Sequence, residues 1–291
     1  MRRGAETGKA EGGKQKAIRG EKLPTAYRLP PTALRPLIIG HRGAAALAPE
    51  NTVVSFERAL RDGADGIEFD VRLARDGQPV VIHDATLRRT VLRKGRVADF
   101  SATELSAMCA GAWFNGRRPS LARPEYLEAN IPTLGEIFET FGARNTLLYV
   151  EMKCGSRDRA PLALAVARLI QAFKVKDRAV VESFDLPSIA ELKRIDSGIR
   201  TAALFDRKLS RPAPSSRRMI ELATECGAEE MALHRSLATR RRVEEVTERG
   251  LEVVVWTVDS PAWVSRAIKN GVRSLITNNP ASLCARRARL A

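Results

Sequence analysis

Leu37-Ile38-Ile39-Gly40-His41, a helical stretch over residues 52–60, and Gly66-Ile67-Glu68-Phe69-Asp70-Val71 read in order as strand, helix, strand. The alternation runs on. Val80-Val81-Ile82 is a short extra strand ending at His83, and residues 86–130 are irregular, with Gly, Pro, Trp113 and scattered Arg. Further strands begin near 147, 179, 201, 231, 253 and 274. Helices are predicted at 133–141, 162–173, 188–195, 217–226, 240–249 and 262–270. With the strands near 37 and 66, that makes eight, Val80-Val81-Ile82 being an additional hairpin strand. Strands alternating with helices form a parallel sheet. Eight such units in about 250 residues predict an α/β fold, a TIM (β/α)8 barrel, with residues 86–130 as a small insertion after the second strand. The rival is a long doubly wound sheet, but no GxGxxG follows a strand here.

The chain has 291 residues, 44% hydrophobic and 29% charged, an ordinary globular composition. No run approaches 18 uncharged apolar residues, which argues against a membrane span. The net charge is +15, unevenly placed. Residues 1–36 hold nine Lys/Arg against three Glu, and residues 281–291 hold Arg286, Arg287 and Arg289. The 244 residues between them carry only +6. With 5% aromatics, the basic-plus-stacking pattern of a single-strand binder is missing, so no nucleic-acid partner is expected. Residues 1–36 show no periodic apolar face and are expected to be a disordered arm, leaving 37–291 as the barrel. Cys109, Cys154, Cys226 and Cys284 form no short framework, so free thiols in a reducing, cytoplasmic setting are expected.

The unusual polar residues fall where strands end, the active face of a TIM barrel. His41 closes the first strand. Glu68 and Asp70 stand two apart on the second, so they share a face. Glu151 and Lys153 repeat that spacing, and His83 follows the extra strand. Two or three carboxylates converging in a barrel mouth repel one another, and a hard divalent cation, Mg²⁺ or Ca²⁺, resolves the repulsion. Lys153 and Arg42 would attract an anion, phosphate being the natural one. His41 and His83 supply two imidazoles, a group whose unperturbed pKa lies near neutrality, as a general acid and base need. Together these features read as phosphoester hydrolysis.

The residues also carry a resemblance. His41-Arg42-Gly43, Pro49-Glu50-Asn51-Thr52, Glu68-Phe69-Asp70, Asp76-Gly77 and Val80-Val81-Ile82-His83-Asp84 resemble the glycerophosphodiester phosphodiesterase family. So do Leu87 with Arg89-Thr90, Ile131-Pro132-Thr133-Leu134 before Glu136, Glu151-Met152-Lys153, Ser183-Phe184 and Trp256-Thr257-Val258. The resemblance implies a TIM barrel with an insertion after the second strand. It also implies metal-dependent hydrolysis of a small-molecule glycerophosphodiester to glycerol 3-phosphate and an alcohol, without stable membrane association. Position by position, it assigns Glu68, Asp70 and Glu151 to the metal, His41 and His83 to acid–base work, and Arg42 and Lys153 to phosphate. It further implies that a neighbouring glycerol hydroxyl attacks first, giving a cyclic phosphate that water opens. One departure stands at Thr277-Asn278-Asn279-Pro280, where the family usually has Asp in place of Asn278. That puts a local turn or a supporting hydrogen bond in question.

Other readings are blander. Asn51 or Thr52 is expected to N-cap the helix that follows, with Glu50 in support of the site. Trp256 is a candidate for the substrate pocket as well as for packing. The arginines over 88–96 and 117–123 are expected to be solvated, and His234 is left out of the catalytic set. Two rival functions remain at this point: a lysophospholipase D-type phosphodiesterase on a lipid, and a non-catalytic barrel that binds phosphate.

Overall fold

A parallel strand enclosed by helices needs apolar residues on both faces, and the strands here have them. The structure, a computed structural model, describes residues 35–207 and 214–290; the arm expected over 1–36 lies almost wholly outside them. Its strands are β1 (Leu37–His41), β2 (Gly66–Leu73), β3 (Pro79–Val81), β4 (Leu147–Met152), β5 (Ala179–Ser183), β6 (Arg200–Phe205), β7 (Glu230–His234), β8 (Glu252–Trp256) and β9 (Ser274–Thr277). Neighbours run β1-β9-β8-β7-β6-β5-β4-β2, and β1 also pairs with β2, so eight parallel strands close into a barrel. β3 lies antiparallel on β2, outside the ring. The fold is the expected TIM barrel.

Alternate residues face two different cores. Ile38, Phe69 and Val150 point outward, to a layer shared with Phe56, Phe138 and Phe141 of the surrounding helices. Ile39, Tyr149, Val180, Ala202, Ala232, Val254 and Ile276 fill the barrel interior. The N-terminal end of the barrel is plugged by ion pairs. Arg200 Nε reaches Glu230 at 2.6 Å and its other arm reaches Glu252 at 2.5 Å; Arg273 adds a contact to Glu252 at 3.1 Å. Tyr149 donates its hydroxyl to Glu230 at 3.0 Å.

The connections follow legible signals. Helix α1 (Val53–Arg61) starts at Thr52, whose hydroxyl accepts from the Ser55 amide. Residues 86–130, irregular in the sequence reading, contain two short helices, α2 (Ala102–Ser106) and α3 (Ala112–Arg117), and three 3₁₀ turns. At five and six residues, these helices are too short to show a period. Only the reciprocal Ser101/Glu104 cap announces α2. The insertion packs on β3 through its own core of Val80, Ile82, Leu87, Val97, Leu105 and Ile131.

The turn after β1 positions the site. Arg42 has φ 48° and Gly43 φ 84°. A Cβ on Gly43 would stand 2.4 Å from Ser55 Oγ and 2.5 Å from the Ser55 carbonyl carbon, so only glycine lets the turn lie on α1. Gly43→Ala is expected to lose about 2–3 kcal/mol through overpacking and a left-handed alanine. That lowers Tm by roughly 4–12 °C. An unchanged melting curve would show that α1 yields without cost.

Candidate active site

Register sets the site. Asp70 on β2 pairs with Glu151 on β4, which pairs with Glu182 on β5. Paired residues on parallel strands point the same way, so three carboxylates form a row inside the C-terminal mouth. Glu68, two residues before Asp70, lies on the same face. All four are buried. Glu68, Asp70 and Glu151, expected from the sequence, come together here, and Glu182, to which the sequence does not point, joins them. Oxygens of Glu68, Glu151 and Glu182 lie within 4.8 Å of one another. Glu68 Oε1, Asp70 Oδ1, Glu151 Oε1 and Glu182 Oε2 make no hydrogen bond. Buried carboxyl oxygens with lone pairs to spare fit a hard divalent cation.

Two cations answer part of that charge. Lys153 Nζ stands 2.6 Å from Glu151 Oε1 and 3.2 Å from Asp70 Oδ1, close but off the alignment of a hydrogen bond. Arg42 Nε lies 3.1 Å from Asp70 Oδ2. Asn51 was a capping candidate; Thr52 takes the cap, and Asn51 donates to Asp70 Oδ2 at 2.8 Å instead. Burial alone would raise the Asp70 pKa, but Arg42 and Lys153 hold it well below the usual carboxylate range. Glu68, Glu151 and Glu182 go the other way. Burial and the neighbouring carboxylates push Glu68 and Glu182 well up, and Glu151 to about 8.

Arg42 is fixed at several points. Its amide donates to Glu68 Oε2 at 2.9 Å, and its carbonyl accepts from Asn51 and Ser55. Its guanidinium donates to Glu50 at 2.8 Å. Glu50 is held from the other side by both arms of Arg89, each at 2.7 Å. Arg89, assigned to a solvated cluster in the sequence reading, is therefore a buttress. Its Nε also donates to Asp84 at 2.6 Å, and Asp84 meets His83 Nδ1 at 2.6 Å. The pairing is bidentate, which arginine geometry favours over a surface role. One insertion residue thus steadies both Arg42 and His83.

His41 Nδ1 lies 2.7 Å from Asn278 Oδ1. An amide oxygen only accepts, so Nδ1 carries the proton and Nε2 is the free base, 3.8 Å from Glu68. Asn278 in turn donates to Asp259 at 2.9 Å. The departure at Asn278 is therefore a supporting hydrogen bond to a site histidine. Burial and the Arg42 charge lower His41 to about 4. His83 is also lowered by burial, against the pull of Asp70 and Asp84.

His41, Arg42, Glu68, His83, Glu151, Lys153 and Glu182 line one cavity of about 350 Å³. Phe184, Leu204, Trp256 and Ile276 form its apolar wall, with Asp206 at the rim. Trp256 meets the Phe184 ring edge-on, centroids 5.4 Å apart, and its Nε1 donates to the Ala232 carbonyl, so it both packs and lines. His234 does not line this cavity; it leans on Trp256 and bonds Ser236. Two larger surface depressions, about 500 and 610 Å³, lack a convergent set of buried charges.

A carboxylate in place of the amide at 278 should stabilise the His41 imidazolium. In metal-free protein the His41 ring should titrate near pH 4 by NMR. The double variant Asp259→Asn/Asn278→Asp, which avoids two facing carboxylates, should raise that value. An unmoved titration would show that residue 278 does not set the state of His41.

Residues 41–282 match the model of the glycerophosphoryl diester phosphodiesterase family. A glycerophosphodiester phosphodiesterase of Caldanaerobacter subterraneus is 32% identical over 252 residues, 86% of this chain and 97% of that protein. The crystal structure of glycerophosphodiester phosphodiesterase from Agrobacterium tumefaciens superposes with a TM-score of 0.70 at 28% identity, covering 86% of this chain and 99% of that one. An Oleispira antarctica phosphodiesterase, solved with its product sn-glycerol-3-phosphate, shares the fold at TM-score 0.76 and 24% identity, over 86% and 96% of the two chains. By its motifs, its barrel and this match along most of its length, the chain belongs to the glycerophosphoryl diester phosphodiesterase family.

Proposed function

We propose that the chain hydrolyses glycerophosphodiesters to glycerol 3-phosphate and an alcohol, with Mg²⁺ or Ca²⁺ held by Glu68, Asp70 and Glu151. One observation carries the reading: buried carboxylates, two cationic side chains and two histidines converge on a single cavity. The named activity of the Caldanaerobacter relative supports it. Arg42 and Lys153 bind the phosphodiester oxygens and orient them. When bound, the cation would supply Lewis-acid stabilisation of charge growing on phosphate oxygen.

The histidines have distinct starting states. His41 presents a bare Nε2 and rests neutral, which leaves it free to take the proton of the neighbouring glycerol hydroxyl. His83, backed by Asp84, suits the acid that protonates the departing alcohol. A cyclic phosphate follows, and the pair then acts in reverse to let water open it. Trp256 and Phe184 form the apolar side against which glycerol or the leaving group rests. No described helix is long and apolar enough to cross a membrane. The free cysteines support a cytoplasmic setting.

The test is purified protein on glycerophosphocholine and glycerophosphoethanolamine, with glycerol 3-phosphate detected. Activity should vanish in EDTA and return with Mg²⁺ or Ca²⁺; full turnover after exhaustive chelation sinks the metal assignment. His41→Ala and His83→Ala should each lower kcat by about 10²–10⁴-fold. His234→Ala should lose far less. Tight phosphodiester binding without turnover would favour the non-catalytic barrel.

Metal-free protein should also report the crowded carboxyls through its stability. Glu68, Glu151 and Glu182 have folded pKa values above their unfolded ones. The folded state then holds more protons, so stability falls as pH rises through that window. His41 and His83 are shifted down and act with opposite sign, but only below their unfolded value of 6.5. Between about pH 6.5 and 8 the carboxyls alone govern. Tm in EDTA should fall across that interval, and saturating divalent cation should flatten the slope. A rising Tm in EDTA would contradict this.

A further inference from the structure

The row of inward carboxylates extends one strand beyond the three assigned above. Glu182 is 1% exposed and follows Glu151 in the parallel register. Its Oε2 has no hydrogen-bond partner, and among the described residues Glu182 enters no ion pair within 4.0 Å. Asp70, by contrast, is engaged by Arg42, Lys153 and Asn51. A buried carboxylate left without a donor is costly, so the position needs a cation to be stable as an anion. The cavity does not demand a polar group there for solvation: Leu204 and Ile276 line the same space.

Charge points the same way. Glu68, Asp70, Glu151 and Glu182 face two cations, Arg42 and Lys153. With all four ionised the cluster is two formal charges from neutrality, which one divalent ion supplies. Mg²⁺ takes six oxygens and Ca²⁺ six to eight, so a fourth carboxylate overfills neither. We propose that Glu182 is a direct ligand of the divalent cation, a fourth carboxylate beside Glu68, Asp70 and Glu151. This rests on the metal reading of the preceding subsection.

Glu182→Gln keeps the volume of the side chain and removes its charge. Binding is measured by titration calorimetry of the chelator-treated full chain with Ca²⁺ and, separately, Mg²⁺, and by the rise in Tm on adding each ion. The metal-free variant should melt close to the metal-free wild type, which shows that it folds. Its affinity for the ion should fall by about 100-fold or more, beyond the 10–100-fold typical of residues that only support a ligand. Glu182→Asp, which keeps the charge on a shorter arm, should recover part of that loss. A smaller loss in Glu182→Gln, or an unchanged metal-induced rise in Tm, overturns the proposal and leaves the metal site itself standing. Wild type that binds neither ion overturns the metal reading instead.

Discussion

Like charges inside a barrel are the constraint on which this structure turns. Parallel pairing forces Asp70, Glu151 and Glu182 into one row, and Glu68 shares their face. In a space shielded from water such a row is tolerable only with compensation. Three kinds are present. Arg42 and Lys153 bring positive charge, Asn51 brings a neutral donor, and the remaining carboxyls keep their protons more tightly than free ones do.

Compensation has to be held in place, and much of the surrounding architecture does this. Arg42 adopts a left-handed backbone because Gly43 can sit against Ser55, and its amide and carbonyl are both tied down. Glu50 then clamps its guanidinium, and Arg89 clamps Glu50. Arg89 comes from the insertion, so the insertion is not decoration on the rim. It joins the turn after β1 to the loop carrying His83, through the Asp84 contact.

The fold was legible because alternation of short apolar runs with helical stretches survives tertiary packing. So were the residues that end strands: His41, Glu68, Asp70, Glu151 and Lys153 all meet in one place. Glu182 escaped because the apolar run Ala179-Val180-Val181 that marks the strand stops one residue short of it. Extending it to Ser183 puts Glu182 on the same face as the inward Val180. Arg89 escaped for another reason. Its partner Glu50 is 39 residues away, and no local period links a loop arginine to such a distant acid. Asn278 looked like a lost charge, yet the carboxylate stands 19 residues earlier, at Asp259, one hydrogen bond behind the amide.

The two ends of the barrel show what a complete ionic cluster looks like and what an incomplete one looks like. At the N-terminal end Glu230 and Glu252 face Arg200 and Arg273, two acids against two bases, with Tyr149 donating to Glu230. That cluster is neutral within itself and makes a plug. At the C-terminal end four acids face two bases, and four buried carboxylate oxygens lack hydrogen bonds. Both clusters sit on the same eight strands and are built by the same register. The difference is the charge imbalance, which leaves the plug closed to further ligands and the mouth able to take a cation.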